Sequence, residues 1–293
     1  MKLEEIGERK IVERLLKRFS IPFDDCAFIE INDDYFVLTT DMVYEKTHFP
    51  ENSSPYYMGW YSIAVNLSDI AAKGAEPVAF LLSLAMPRKM ELNFLEELIR
   101  GMEDCARNFG GKILGGDTKE ADKILISVTA IGRVKKDEVM LRKGAKIGEN
   151  VYVTGELGKG AFIFSDEKEK ILLVKPRIME GRVLAKSKKV SCCMDISDGL
   201  ASSLYQLMKV NNVGFEIYKD RLPVADIAKN VEDAIYIGGD YELLFTMLPK
   251  YEKIIGRKID IKKIGRVIEE KAIYLLSEGK RKKIRNIGYE HFK

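Results

Sequence analysis

Apolar positions recur along this chain in two periods, and each change of period marks an element. Ile6, Val12, Leu15, Leu16 and Phe19 keep a helical spacing as far as the break at Pro22. Cys26 to Ile31 and Tyr35 to Thr40 then read as two strands about an Asn32-Asp33-Asp34 turn, which predicts a hairpin. Helical spacing returns with Tyr57, Trp60, Tyr61, Ala64, Leu67 and Ala71, so one face of this helix is expected in the core. Ser53 or Ser54 is placed to cap it, Pro55 suits its first turn, and Gly74 closes it. Next come an apolar strand from Val78 to Leu84 and a helix from about Leu92 to Phe109, stopped by Gly110-Gly111. A short strand, Lys112-Ile113-Leu114, opens onto Gly115-Gly116-Asp117-Thr118, and a longer one runs from Ile124 to Val134. The expectation for this half is a four-stranded, mainly antiparallel sheet with helices on one face.

Near Arg142-Lys143-Gly144-Ala145 the pattern restarts, with Gly148-Glu149-Asn150 as a turn and Val151 to Gly155 as a new strand. The expected division is a first domain of residues 1–146 and a second, α/β domain of residues 147–293, giving an α/β (α+β) protein overall. The second domain should hold a helix around Arg177 to Lys186, another from Leu200 to about Met208, and a strand from Leu243 to Leu248. Gly155-Glu156-Leu157-Gly158-Lys159-Gly160 lacks the spacing of a Walker A loop and reads as a glycine-rich strand-to-helix turn.

Composition narrows the classes. The 293 residues are 46% hydrophobic and 32% charged, as in a soluble globular protein, and a net charge of +3 is too balanced for nucleic acid or an anionic membrane to be the main partner. No apolar run approaches the roughly 18 residues of a membrane span. The basic clusters Lys253 to Arg266 and Lys280 to Arg285 are interleaved with Ile and read as solvated faces. Cys26, Cys105, Cys192 and Cys193 lack CxxC spacing and the last two are adjacent, so reduced buried thiols and a cytoplasmic protein are expected.

The candidate chemistry lies in aspartates at element ends. Asn66 and Asp69, three apart, share a face near a helix C-terminus, where a carboxylate meets the negative end of the dipole at a cost of a few tenths to about 1 kcal/mol unless a cation offsets it. An exposed helix acid would read the same way, so the other acids decide. The hairpin brings Asp25 and Asp41 to one end. Asp117 follows two glycines that allow close approach of a bulky anion, although a solvated turn fits too. Asp195 precedes Ser197 and Asp198, and Asp198 could simply cap the next helix. If several of these acids converge, each pair about 4 Å apart repels by about 4 kcal/mol at an effective dielectric of 20. With only two histidines in the chain, carboxylates and threonine oxygens favour hard cations such as Mg2+, several of which serve a nucleoside triphosphate.

Thr39-Thr40-Asp41 with His48-Phe49, Asn66 to Ala75, Gly115-Gly116-Asp117-Thr118, Asp195-Ile196-Ser197-Asp198-Gly199-Leu200 and Asp240-Tyr241-Glu242-Leu243 resemble, jointly and in order, the motifs of the thiamine-monophosphate kinase family. That family is a branch of the ATP-binding superfamily of aminoimidazole ribonucleotide synthetase and selenophosphate synthetase. The resemblance implies ATP-dependent phosphorylation of thiamine monophosphate by direct in-line transfer with several Mg2+ ions, in a homodimer whose N-terminal sheets pair. It assigns Asp25, Thr39, Thr40, Asp41, Asp69, Asp117, Asp195 and Asp198 to metal, with Asp69, Asp117 and Asp195 central to catalysis. Gly116, Asp117, Arg142 and Ser197 match nucleotide contacts, and His48 and Tyr289 match positions facing the thiamine phosphate. Two positions depart from the family pattern: Gly239 stands where a substrate-contacting Glu is usual, and Phe23 precedes Asp24-Asp25 where Gly is usual. The alternatives are another ATP-dependent enzyme of that superfamily acting on a different acceptor, or a non-catalytic nucleotide or Mg2+ binding protein.

Overall fold

The computed structural model describes residues 2–292. Two short helices, α1 (Leu3–Ile6) and α2 (Glu8–Phe19), replace the single first helix expected, the break falling at Gly7. The hairpin of β1 (Ala27–Ile31) and β2 (Asp34–Tyr44) follows, then α3 (Glu45–His48), α4 (Pro55–Ala72), β3 (Glu76–Met86), α5 (Leu92–Phe109), β4 (Lys112–Glu120) and β5 (Leu125–Lys135). The second half contains β6 (Asn150–Val153), α6 (Ile178–Ser187), β7 (Val190–Asp195), α7 (Leu200–Asn211), β8 (Gly214–Tyr218), α8 (Val231–Tyr236), β9 (Leu243–Met247), α9 (Glu252–Gly256), β10 (Lys262–Ile268), β11 (Ile273–Ser277) and β12 (Lys280–Lys283). The strand-to-helix turn predicted at Gly155 to Gly160 leads into a 3-10 segment, Lys159–Phe164.

The first sheet has five strands, not four, in the order β1-β2-β5-β3-β4, with only the β3–β4 pair parallel. The difference lies at Gly115-Gly116-Asp117: the chain does not turn there but continues as the edge strand β4. Gly116 has a local reason, since a Cβ there would stand 1.7 Å from the Leu82 carbonyl oxygen. The second sheet has seven strands in the order β12-β11-β8-β10-β6-β9-β7.

α4 is the hub. Its apolar face was expected to be one stripe, yet only Pro55, Tyr56, Tyr57, Trp60 and Asp69 escape burial, because α5, the first sheet, α6 and β7 surround it. Neither Ser53 nor Ser54 caps it through its side chain; Ser53 Oγ instead donates to the Pro50 carbonyl. At the other end Gly74 takes φ +67°, its N–H reaching Ala71 and the Ala75 N–H reaching Ile70, a Schellman closure. Asp69 is thus the one residue in the last turns of a buried helix that is left partly open.

Candidate active site

β2 delivers its residues to two sides by alternation. Thr39 and Asp41 face α4, where Thr39 Oγ1 donates to Asp69 Oδ2 at 2.6 Å and the Asp41 amide donates to Asn66 Oδ1 at 3.0 Å. The Asn66/Asp69 pair, three apart on the helix, therefore docks on one strand. From the second half, β7 ends at Asp195, whose Oδ2 accepts from Ser68 Oγ of α4 at 2.7 Å. Asp25, just before β1, completes the group: Asp25, Asp69 and Asp195 each offer an oxygen within 4.8 Å of the others.

Two cations are built in. Lys73, fully buried, places Nζ 2.6 Å from Asp25 Oδ2, pairs with Asp24, and donates to the Cys193 carbonyl at 3.2 Å. Arg142 donates to Asp25 Oδ1 through Nε at 2.7 Å, gives its backbone N–H to Asp24, and holds Gln206 at 2.8 Å. The Phe23 ring lies 4.7 Å from the Arg142 guanidinium carbon, which gives the aromatic residue at that position a task glycine could not perform. Lys73 and Asp24 were not singled out in the sequence. A lysine in the last turn of a helix reads as an ordinary solvated end, and only its place after a run of small residues, Ala71-Ala72, hinted at burial.

The charges do not balance. Burial pushes the carboxyls up, and neighbouring acids push further: Asp195 to about 7, next to Asp25, and Asp41 to about 6, next to Asp198 and Asp25. Asp69 is raised well above its ordinary value by burial and by Asp41, Asp195 and Asp25, against the Thr39 hydrogen bond. Asp198 rises to about 6 through burial and Glu8. For Asp25 the burial effect is outweighed by Arg142 and Lys73, and the carboxyl lies below its ordinary range. Carboxylates at this separation repel by roughly 3–4 kcal/mol per pair at an effective dielectric of 20. An all-oxygen set of three carboxylates with the Thr39 hydroxyl nearby, and no cysteine or histidine in the group, fits a hard divalent cation such as Mg2+.

The remaining predicted residues fall into separate places. Thr40 points to the opposite face of the sheet, bonding Thr129 at 3.2 Å. Asp117 is on that outer face too, since it pairs with Ser83 and Ser83 pairs with Ser127; its side chain is 66% exposed and meets only Lys119 and the Thr118 amide. Gly116 lies beside it. One chain therefore does not bring Asp117 to the Asp25/Asp69/Asp195 group. Asp198 does not cap α7, whose N-cap is Gly199 without a side-chain bond. Ser197 sits in the same loop, its carbonyl accepting the Gly239 amide at 2.6 Å. Gly239 has φ +98°, a conformation that strains any L-residue, and its nearest neighbours would be Gly160 and Ile171. His48 accepts the Tyr44 N–H on Nδ1, and Tyr289 lies in the tail, its N–H on the Asp198 carbonyl.

Both halves of the chain match one class. The AIR synthase related protein N-terminal domain matches residues 23–134 and the corresponding C-terminal domain matches residues 144–277, so this is a two-domain AIR synthase related protein. Thiamine-monophosphate kinase of Pyrococcus abyssi is 35% identical across 97% of this chain and 95% of its own, and that of Aquifex aeolicus 31% identical across 100% of both. The chain belongs to the thiamine-monophosphate kinase family. The solved structure of AaThiL complexed with AMPPCP and TMP superposes with a TM-score of 0.89 at 29% identity, covering 99% of each chain. The hydrogenase maturation protein HypE in complex with ATP, 17% identical with a TM-score of 0.73 over 94% of this chain and 93% of its own, shares the fold.

Proposed function

We propose that this chain transfers the γ-phosphoryl group of ATP to thiamine monophosphate, giving ADP and thiamine diphosphate. The observation that carries the reading is the convergence of Asp25, Asp69 and Asp195, drawn from both halves, into one undercompensated oxygen cluster. The name of the relatives and the ligands of the structural neighbour support the choice of substrates. The acceptor phosphate, with its second ionisation near pH 6, needs no strong base. One of its oxygens attacks the γ-phosphorus, a new P–O bond forms, and the bond to the β–γ bridging oxygen breaks. Asp25, Asp41, Asp69, Asp195 and Asp198 would hold Mg2+, with Thr39 orienting Asp69. Bound Mg2+ ions would neutralise the phosphate oxygens during transfer. Arg142 keeps Asp25 ionised and would meet the nucleotide, so positioning and electrostatics supply the rate.

The outer face of the first sheet exposes Ile29, Ile31, Met42, Leu81 and Leu114. An apolar sheet face of this kind supports a homodimer that covers it and places Thr40, Gly116 and Asp117 at the junction between copies. Buried free cysteines fit a cytoplasmic setting; no helix among the described residues is long and apolar enough to cross a membrane.

The test is a product assay with ATP, Mg2+ and thiamine monophosphate, in which thiamine diphosphate and ADP should form in equal amounts; ADP without thiamine diphosphate would move the assignment to another acceptor. Beside it, Asp117→Asn should leave melting unchanged and lower turnover by on the order of a hundredfold. Wild-type turnover would remove Asp117 from the mechanism.

A further inference from the structure

The basic run Lys280 to Arg285 is exposed as expected except at Ile284, and its end also borders a cavity of about 160 Å³ between α8 and the β11–β12 hairpin. The floor of this cavity is apolar: Ile235 of α8, Leu275 of β11 and Ile284 are all buried. One wall is Tyr236. Its hydroxyl accepts the Arg285 N–H at 3.3 Å, and its ring centroid stands 6.0 Å from the Arg285 guanidinium carbon. Lys282, Lys283 and Arg285 complete the lining together with Glu232, its one acid. Among the described residues none of these three cations makes an ion pair, whereas Arg281, on the same strand, is held by Glu216 and Glu270.

Lysines on an edge strand guard it against pairing with another chain, which accounts for those within β12. It does not account for Arg285, two residues past the strand's end and set against an aromatic ring. An apolar floor with a tyrosine wall suits a flat, uncharged ring, and a cavity of roughly 150 Å³ holds one the size of benzene. Unpaired ammonium groups and a guanidinium at its edge suit phosphate oxygens, and three cations against one carboxylate favour a ligand with several negative charges. We propose that this cavity binds a pyrimidine nucleoside di- or triphosphate, with the ring against Tyr236 and the phosphates on Lys282, Lys283 and Arg285. None of the lining residues belongs to the acid cluster, so the site is separate from that of phosphoryl transfer and stands whatever the acceptor there is.

The test is calorimetric titration of the full chain with uridine diphosphate in a chelator, where the acid cluster has no metal to offer a phosphate. One molecule should bind per chain. Lys282→Ala with Lys283→Ala, and separately Arg285→Ala, should each weaken binding about tenfold. Tyr236→Leu, which keeps the wall apolar but removes the ring, should weaken it several-fold while leaving the binding of pyrophosphate unchanged. Uridine and pyrophosphate, the two halves of the probe, should each bind at least about tenfold more weakly than the whole. Thermal unfolding of each variant beside the parent confirms that the variants are folded. No binding of uridine diphosphate at millimolar concentration, binding that survives the cation substitutions, or pyrophosphate held as tightly as uridine diphosphate overturns the proposal.

Discussion

Two buried charge clusters in this molecule are built to opposite specifications. At Glu242 both carboxylate oxygens are met: Arg177 grips them with two 2.6 Å bonds, Lys159 Nζ sits at 2.5 Å and Thr154 Oγ1 donates at 2.7 Å. Around Asp69 three carboxylates crowd within 4.8 Å, Asp41 presses on Asp69 and Asp198 on Asp41, and the cations Lys73 and Arg142 are taken up by Asp25 and Asp24. The desolvation of a buried ion persists in a fold only when something offsets it. For Glu242 the offset comes from the chain itself, which ties β9 to the start of α6. For the acid cluster the chain supplies no such partner for Asp41, Asp69 and Asp195, and without a cation it falls to protons to offset them, which is why the proposed function puts Mg2+ there.

Removing a charge should therefore act in opposite directions at the two places. Asp69→Asn is expected to cost the largest factor, about a hundred- to a thousandfold in turnover, while metal-free stability rises because one repulsive charge is gone. Kinetics beside denaturant unfolding in a chelator tests both halves. A variant that is active, or that unfolds earlier than the parent without metal, would make the cluster a structural one. Glu242→Gln should do the reverse: roughly 3 kcal/mol of stability is lost as Arg177 and Lys159 are left without their anion. The Mg2+ concentration for half-maximal activity should stay put in the protein that remains folded. Unchanged unfolding would show that the cluster does not carry that load.

The contrast also explains what could be read from the chain beforehand. Local pattern was enough for α5, which spans Leu92–Phe109 as expected, and for the placement of Asp69 on a helix end, but not for the strand that ends at Asp195. It failed where a residue's role depends on what lies across the molecule. Gly115-Gly116 looked like a turn because glycine is the usual sign of one, yet an edge strand tolerates it and Leu82 requires it. Lys73 was not singled out because nothing near it in sequence announces Asp24 and Asp25. Glu8, Arg9 and His291 have no local signal at all, since each finds its partner from the other end of the polypeptide.

The smallest and most general effect is on pH dependence. Apart from Asp25, which Arg142 and Lys73 hold low, the acids of the cluster have folded-state values above the ordinary 3.8, with Asp41 and Asp198 at about 6 and Asp195 at about 7. Between the ordinary value and those raised ones the folded state binds more protons than the unfolded one, so metal-free stability should fall as pH rises from about 4 to about 7. Each tenfold difference in proton affinity is worth about 1.4 kcal/mol, and because the acids repel one another jointly, their combined effect stays at roughly a few kcal/mol, below the sum of the separate contributions. Mg2+ binds the deprotonated form, so added at about a hundred times its Kd it should restore about 2.7 kcal/mol near pH 8 and almost nothing near pH 5. Glu242→Gln moves the whole curve down, whereas Asp69→Asn flattens it. Thermal unfolding across pH 4 to 8, with chelator and with Mg2+, separates the two. A metal-free curve that rises through that window would mean the carboxylates are already satisfied by Lys73, Arg142 and water, and the two clusters would then be of one kind.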